Sequence, residues 1–319
     1  MNAFDTPLTI QGPYRQPRQL LAEQSMNGRA SIHDDAAAAA LGLTGAPIEG
    51  PTHFSQLDPL AYGAWGPVWF ERGCVSSHFQ TMVVEGDEVQ ASLITAGPSD
   101  ADIEAHTLDG TPVLTGTASI GQTSRPTALA SRLEAQRPPT SLSILDQLSV
   151  GMTFTERVTS VITFDVSNGP RYPFALREKL EAITEPSPWY RTPDTPWGRP
   201  ILPFEMISVL AHKDGPGFPV RQPSIGLFLD LEVRLHDGPL FVDEPYDIAH
   251  TIVGVSESRR TESFWTRTSI SAARGGPTLA TVLLHQGVFK DSYPDYPHRP
   301  DEPHPTRSSS EDGAVKTGR

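Results

Sequence analysis

A thirteen-residue stretch, Gly45-Ala46-Pro47-Ile48-Glu49-Gly50-Pro51-Thr52-His53-Phe54-Ser55-Gln56-Leu57, returns as Gly198-Arg199-Pro200-Ile201-Leu202-Pro203-Phe204-Glu205-Met206-Ile207-Ser208-Val209-Leu210. Aligned without gaps, five of thirteen positions are identical: Gly45/Gly198, Pro47/Pro200, Ile48/Ile201, Ser55/Ser208 and Leu57/Leu210. Both copies set a Gly-x-Pro-Ile turn before a helix start. Gly50 can cap the first helix and Pro51 suits its first position; Pro203 takes a similar place in the second, with Glu205 in the positive first turn. A second echo follows in the same order, Gly110-Thr111-Pro112-Val113-Leu114 and Gly275-Gly276-Pro277-Thr278-Leu279, each between two β-rich runs; the offsets are 153 and 165. Two ordered echoes argue for an internal duplication of about 150 residues. The competing reading is chance likeness between Gly/Pro turns, which are common punctuation.

A length of 319 suggests two domains, each large enough for its own core. The net charge of −13 disfavours nucleic acid or an anionic membrane surface as the main partner, because phosphate binding needs an excess of Lys and Arg. A local basic pocket for one phosphorylated ligand stays open. The single Cys74 forms no internal disulfide, excludes a cysteine-rich metal site and fits a cytoplasmic setting. The N-terminus has no basic segment followed by an apolar one, and the longest apolar run, Ala36 to Leu43, is far too short to span a bilayer. The histidines are scattered without metal-ligand spacing, so neither a metal nor a resident cofactor is expected. The absence of a phosphate loop, a dinucleotide fingerprint and a Gly-x-Ser-x-Gly elbow weighs against dehydrogenases, P-loop enzymes and α/β-hydrolases.

The periodicity predicts a short strand at Leu8–Ile10 and a helix over Ala36–Leu43. It predicts a second helix over Thr52–Ala64, kinked or broken at Asp58-Pro59, then β-runs at Cys74–Val84, Val89–Thr95 and Val113–Ile120. Glu85-Gly86-Asp87 is a hairpin turn. Residues 123–144 read as a linker with a helical turn at Leu129–Ala135. The second half follows with a β-run at Thr153–Phe164, helices at Phe174–Ile183 and Phe204–His212, and β-runs at Ile225–Leu235, Tyr246–Ser256, Thr261–Ala272 and Leu279–Val288. Residues 291–319 are Pro-, Ser- and charge-rich and read as a disordered tail. Each half, 1–122 and 145–290, is one principal helix preceded by a loop and followed by hairpin-linked strands: an α+β pattern with an antiparallel sheet.

This order resembles the MaoC-like hydratases and dehydratases of the tandem, or double, hotdog type. In that family an antiparallel sheet wraps a central helix and two such units pair. An Asp-x4-His motif, usually within Asp-x-Asn-Pro-Ile-His, precedes an Ile-x-His-Gly helix start by about 18 residues. In the first half, Ala30-Ser31-Ile32-His33-Asp34-Asp35 matches the histidine end, and Gly50 follows His33 by 17 residues. Gly28 stands where the aspartate belongs. In the second half, Glu185-Pro186-Ser187-Pro188-Trp189-Tyr190 matches with Glu for Asp and Tyr for His, and Pro203 replaces the helix-start glycine.

The resemblance implies a lyase acting on an acyl thioester, of CoA or a carrier protein, or on a related activated carbonyl compound. It also admits a non-catalytic hotdog binding an acyl or aromatic ligand, or a thioesterase. Hydration needs a base for water, an acid for the α-carbon and donors for the enolate oxygen. His33 is then a candidate base oriented by Asp34 or Asp35, with Gly50, Thr52 and His53 holding the carbonyl. Glu185 with Tyr190 is the alternative pair, with tyrosine a weaker acid near neutral pH. The plain structural readings stand beside these: a helix N-terminus at His33-Asp34-Asp35, a loop at Glu185–Pro188 with a Trp189-Tyr190 anchor, and a capped or solvated His53. The lean is to the site beside His33, whose helix start keeps Gly50, small enough for a carbonyl to approach the backbone. A small-molecule acyl or aromatic partner and a homodimer are the compatible partners.

Overall fold

A computed structural model describes residues 6–26 and 29–297. Gly28, where the first motif lacks its carboxylate, and residues 298–319 of the expected tail lie outside the described residues. The start of that tail departs from the expectation: Lys290–Ser292 form a 3-10 turn, and Tyr293 and Tyr296 pack on a small cluster around Ile144, Phe264 and Val288. Two aromatic rings supply enough apolar surface to fix a short polar segment.

The strands are β1 (Thr9–Gln11), the two-residue ribbon β2 (Ser25–Met26) and β3 (Arg29–Ala30), β4 (Gly73–Phe79), β5 (Val89–Thr95), β6 (Asp100–Thr107), β7 (Pro112–Ile120), β8 (Thr153–Ser160), β9 (Gly226–Leu235), β10 (Tyr246–Glu257), β11 (Thr261–Ala272) and β12 (Thr278–Phe289). The helices are α1 (Asp35–Ala40), α2 (Phe54–Trp65), α3 (Val68–Arg72), α4 (Ala128–Glu134), α5 (Leu176–Ala182) and α6 (Phe204–His212). Ten strands form one antiparallel sheet ordered β1-β5-β6-β7-β4-β9-β12-β11-β10-β8. The order reads the same from either end once β4 is matched with β9, β5 with β10, β6 with β11, β7 with β12 and β1 with β8. The halves join at β4 and β9, antiparallel, with Val75 opposite Val233 and His78 opposite Asp230.

The two Gly-x-Pro-Ile copies occupy equivalent places. Pro47 bridges to Val84 and Ile48 N–H reaches the Val83 carbonyl; Ile201 bridges to Phe241 and Leu202 N–H reaches the Leu240 carbonyl. The ladders match Pro47 with Ile201, one residue from the ungapped alignment. In the first half a 3-10 turn, Gly50–His53, leads into α2; in the second the chain enters α6 directly. Buried Leu57, Leu60 and Ala61 of α2 and Ile207, Val209 and Leu210 of α6 share one core with Val75, Leu231, Val233, Val282 and Leu284 of the sheet. Burying a side chain of this size stabilises by roughly 1.5–3 kcal/mol, so the two halves depend on one another.

Three local expectations are corrected. The first strand after α2 ends at Phe79 instead of Val84, because Val83 and Val84 serve the helix entrance; the Glu85-Gly86-Asp87 turn closes with Val84 N–H on Asp87 Oδ2. β6 was not expected, since only small Ala101 and Ala105 flank Ile103 on its inner face. α2 runs through Pro59 without a break; the ring is exposed, so the lost hydrogen bond lies on the solvent side. Helix α4, inside the 123–144 segment, lies on the outer sheet face, with Leu129 N–H on Ser76 Oγ (3.0 Å) and Arg132 Nε on Asp230 Oδ1 (2.8 Å). Among the described residues no helix is long and apolar enough to cross a membrane.

Candidate functional site at two facing helix starts

The turn Gly50–His53 packs on α6, so the positive N-terminal ends of the two central helices lie together. Acidic side chains gather there. Glu205, in the first turn of α6, is 1% exposed, and Glu49, just before the 3-10 turn, is 6% exposed. One buried cation serves both. Lys179 of α5 donates from Nζ to Thr52 Oγ1 at 3.0 Å and pairs with Glu205 Oε2 at 3.0 Å. Burial raises the Glu205 carboxyl, with Lys179 opposing. Burial pushes Glu49 up to about 7; Lys179 again opposes, while Glu205 adds to the rise. Glu49 Oε1 has no hydrogen-bond partner among the described residues. His53, enclosed and facing the same ammonium, is pushed down to about 4 and stays neutral.

His33 is the half-buried member of this group. Its Nδ1 lies 2.6 Å from the Pro47 carbonyl, an acceptor, which assigns the proton to Nδ1 and leaves Nε2 with a lone pair. Burial lowers its pKa, and the Lys179 charge contributes. The expected orienting carboxylates are occupied elsewhere: Asp34 caps α1 through the Ala37 N–H at 2.9 Å, and Asp35 accepts from Ala46 N–H. A backbone carbonyl two residues before Glu49 therefore does the orienting.

The second helix start is finished differently. Glu185 is held by the Arg15 guanidinium in two bonds of 2.6 and 3.1 Å. The Tyr190 hydroxyl, 2% exposed, donates to Asp58 Oδ2 at 3.0 Å, and burial raises its pKa well above the ordinary value. Asp58 belongs to α2 of the other half. It also accepts the Trp69 indole N–H at 2.9 Å.

No family model matches the chain, and no curated protein matches its sequence. Solved structures do match. A MaoC domain protein from Chloroflexus aurantiacus superposes with a TM-score of 0.56 at 13% identity, over 90% of this chain and 95% of its own. A conserved hypothetical protein from Mycobacterium tuberculosis with a double hotdog fold superposes at 0.59 and 13% identity, over 90% and 97%. The chain has a double hotdog fold. The sheet order, the paired central helices and these superpositions agree, so the resemblance read from the sequence holds for architecture.

Within the double hotdog, His33, Thr52 and His53 converge on Lys179, whereas Glu185 and Tyr190 engage Arg15 and Asp58. Thr52 N–H is bonded to the Glu49 carbonyl at 3.0 Å, so Thr52 offers the site its hydroxyl and not its amide. The Phe79 ring packs over Gly50: a Cβ there would lie 2.7 Å from Phe79 Cζ, so the residue is small for packing. Sequence reasoning passed over Glu49, Asp58 and Lys179, and read Glu205 only as a first-turn acid. Lys179 carried a readable signal, since it falls in the stripe Leu176, Leu180, Ile183, where a hydrophobe is expected.

Proposed function

We propose that this double hotdog is a lyase of the hydratase/dehydratase type, acting on an acyl thioester or related activated carbonyl compound at the first helix start. The observation that carries the reading is the buried acid–base set of Glu49, His53, Lys179 and Glu205, with half-buried His33 at its edge. Opposed pKa shifts in one enclosed cluster mark acid and base roles. His33 Nε2 is the base that takes a proton from water. Glu49, kept protonated by burial, is the acid that returns one to the α-carbon. The converging helix ends and Lys179 favour the negative charge that develops on the carbonyl oxygen between those transfers. Because Glu49 ionises at about 7, hydration falls as pH rises through that value. The setting proposed is cytoplasmic, on the single buried Cys74.

One observation favours a second reading, a hotdog that binds an acyl or aromatic ligand without turnover. Apart from His33 the cluster is more than nine-tenths buried, and the second motif is tied into Arg15 and Asp58. A panel of enoyl thioesters followed by loss of enoyl absorbance, with thiol release recorded in parallel, separates the readings. Lyase action predicts hydration that His33→Ala lowers by about 10²–10⁴-fold. Thiol release without hydration makes the protein a thioesterase, and saturable binding without either makes it a binding protein.

A further inference from the structure

On the outer face of the sheet, away from both helix starts, one cross-strand row carries Glu104 of β6, Thr115 of β7, His78 of β4, Asp230 of β9 and His285 of β12, each opposite the next. The row crosses the junction of the two units between His78 and Asp230, and Asp230 is 0% exposed. Its carboxylate holds three groups: His78 Nδ1 at 2.7 Å and Arg132 Nε at 2.8 Å on Oδ1, and His285 Nδ1 at 2.6 Å on Oδ2. A carboxylate accepts, so in the neutral ring the His78 proton sits on Nδ1 and Nε2 keeps its lone pair. Arg132 meets Asp230 through Nε, and its side chain is 42% exposed. Both side chains line a cavity of about 410 Å³ beside α4, together with Glu104 and Thr115. Asp102, also at this cavity, is paired with Arg125 at 2.8 Å. Half-buried Glu104 has no hydrogen-bond or ion-pair partner among the described residues.

We propose that this cavity binds a zwitterionic α-amino acid, with the ligand carboxylate on the terminal nitrogens of Arg132 and its ammonium shared by His78 Nε2 and Glu104. The balance of charge decides the class. Asp230 already meets the Arg132 charge from behind, so a bare carboxylate gains little there and is repelled by Glu104. A bare amine is drawn to Glu104 but shares the cavity with the Arg132 guanidinium. A zwitterion complements both groups, and the planar guanidinium fork suits a carboxylate. Asp230 fixes the imidazole and the guanidinium before a ligand arrives, which lowers the ordering cost of binding. The site is independent of any thioester chemistry at the first helix start.

Thermal melts of the full chain with each proteinogenic α-amino acid at millimolar concentration test the proposal. At least one raises Tm saturably, and matched acetate or methylamine does not. Calorimetry with that amino acid gives a Kd that Glu104→Gln and Arg132→Met each weaken about tenfold or more, the scale of one charged hydrogen bond. Both variants stay folded, because Glu104 has no internal partner to lose and Asp230 keeps two imidazole donors without Arg132. A second measurement uses the intact chain. In ¹⁵N-labelled protein the His78 Nε2 resonance moves upfield as the amino acid is added, because that nitrogen accepts from the ammonium, while Nδ1 stays bonded to Asp230. Failure of every amino acid to raise Tm, an equal rise with acetate or methylamine alone, an unmoved His78 Nε2 resonance, or unchanged affinity in either variant would overturn the inference.

Discussion

The two helix starts of this chain stand at equivalent points of a duplicated fold and are completed in opposite ways. Beside the start of α6, two donors meet one acceptor: the Tyr190 hydroxyl and the Trp69 indole both end on Asp58. At the turn before α2, the acidic groups outnumber the donors that reach them. Lys179 is divided between Thr52 and Glu205, and Glu49 is left with a bare oxygen. A satisfied buried network rigidifies a fold, whereas an unsatisfied one costs stability and calls for another reason to exist. Position within the fold therefore does not assign chemistry. The balance of donors and acceptors does, and here it distinguishes two places that the duplication made alike.

Lys179→Met gives the largest expected effect. It strands Glu205 and Glu49 without their cation, and breaking a buried pair on one side costs about 3–5 kcal/mol. Urea unfolding at pH 8 should show that loss, and at pH 5, where burial keeps Glu49 protonated, the loss should shrink. An unchanged midpoint at pH 8 would break the comparison, because the first start would then not be organised around Lys179.

Glu49→Gln comes next, with a definite sign. The folded state holds a proton up to about pH 7 that the unfolded chain releases at its ordinary carboxyl pKa, so Glu49's contribution is full below that ordinary pKa and is lost as pH rises to about 7. The span corresponds to roughly 3 kcal/mol as an upper figure. The variant should gain on wild type between pH 5 and pH 8 in paired thermal melts. His53→Gln should show the opposite trend: a histidine pushed down to about 4 contributes stability that is lost as pH falls from its ordinary value toward 4, so the variant gains on wild type over that window.

At the second start, Tyr190→Phe should cost about 1–3 kcal/mol, the range for leaving a buried acceptor short of a donor. Its loss should grow as pH rises through about 7, where Asp58 becomes charged. Glu185→Gln is the smallest. Its partner Arg15 is 36% exposed, and a pair open to solvent contributes about 1 kcal/mol or less, reduced further by salt. A loss above 3 kcal/mol in Glu185→Gln would show that the second motif loop carries more than a tether.

Much of the architecture was legible because it rests on patterns that repeat. The Gly-x-Pro-Ile turns marked both helix entrances, and Phe204–His212, Val89–Thr95 and Thr261–Ala272 are the elements that periodicity delimits. β6 escaped because alanines face the core, and α2 outran its proline because the ring points outward. The site was less legible. Motif matching led to His33, Glu185 and Tyr190, but the partners of each lie far away in sequence: Lys179 for the first start, Arg15 for Glu185, Asp58 for Tyr190. Pairings across more than a hundred residues depend on how the units dock, and no local pattern encodes that. Lys179 alone broke a local rule, as a charge in an apolar stripe.

The measurement closest to the central claim compares one substitution at each start in a single assay. Hydration of the best enoyl thioester is followed for Glu49→Gln and Tyr190→Phe at pH 6.5, with each variant's fold verified by its melting curve. Glu49→Gln should lower kcat/KM by about 100-fold or more, the scale of losing a general acid, while Tyr190→Phe stays within a few-fold of wild type. Full turnover in Glu49→Gln together with collapse in Tyr190→Phe would contradict the account and move the working site to the start of α6.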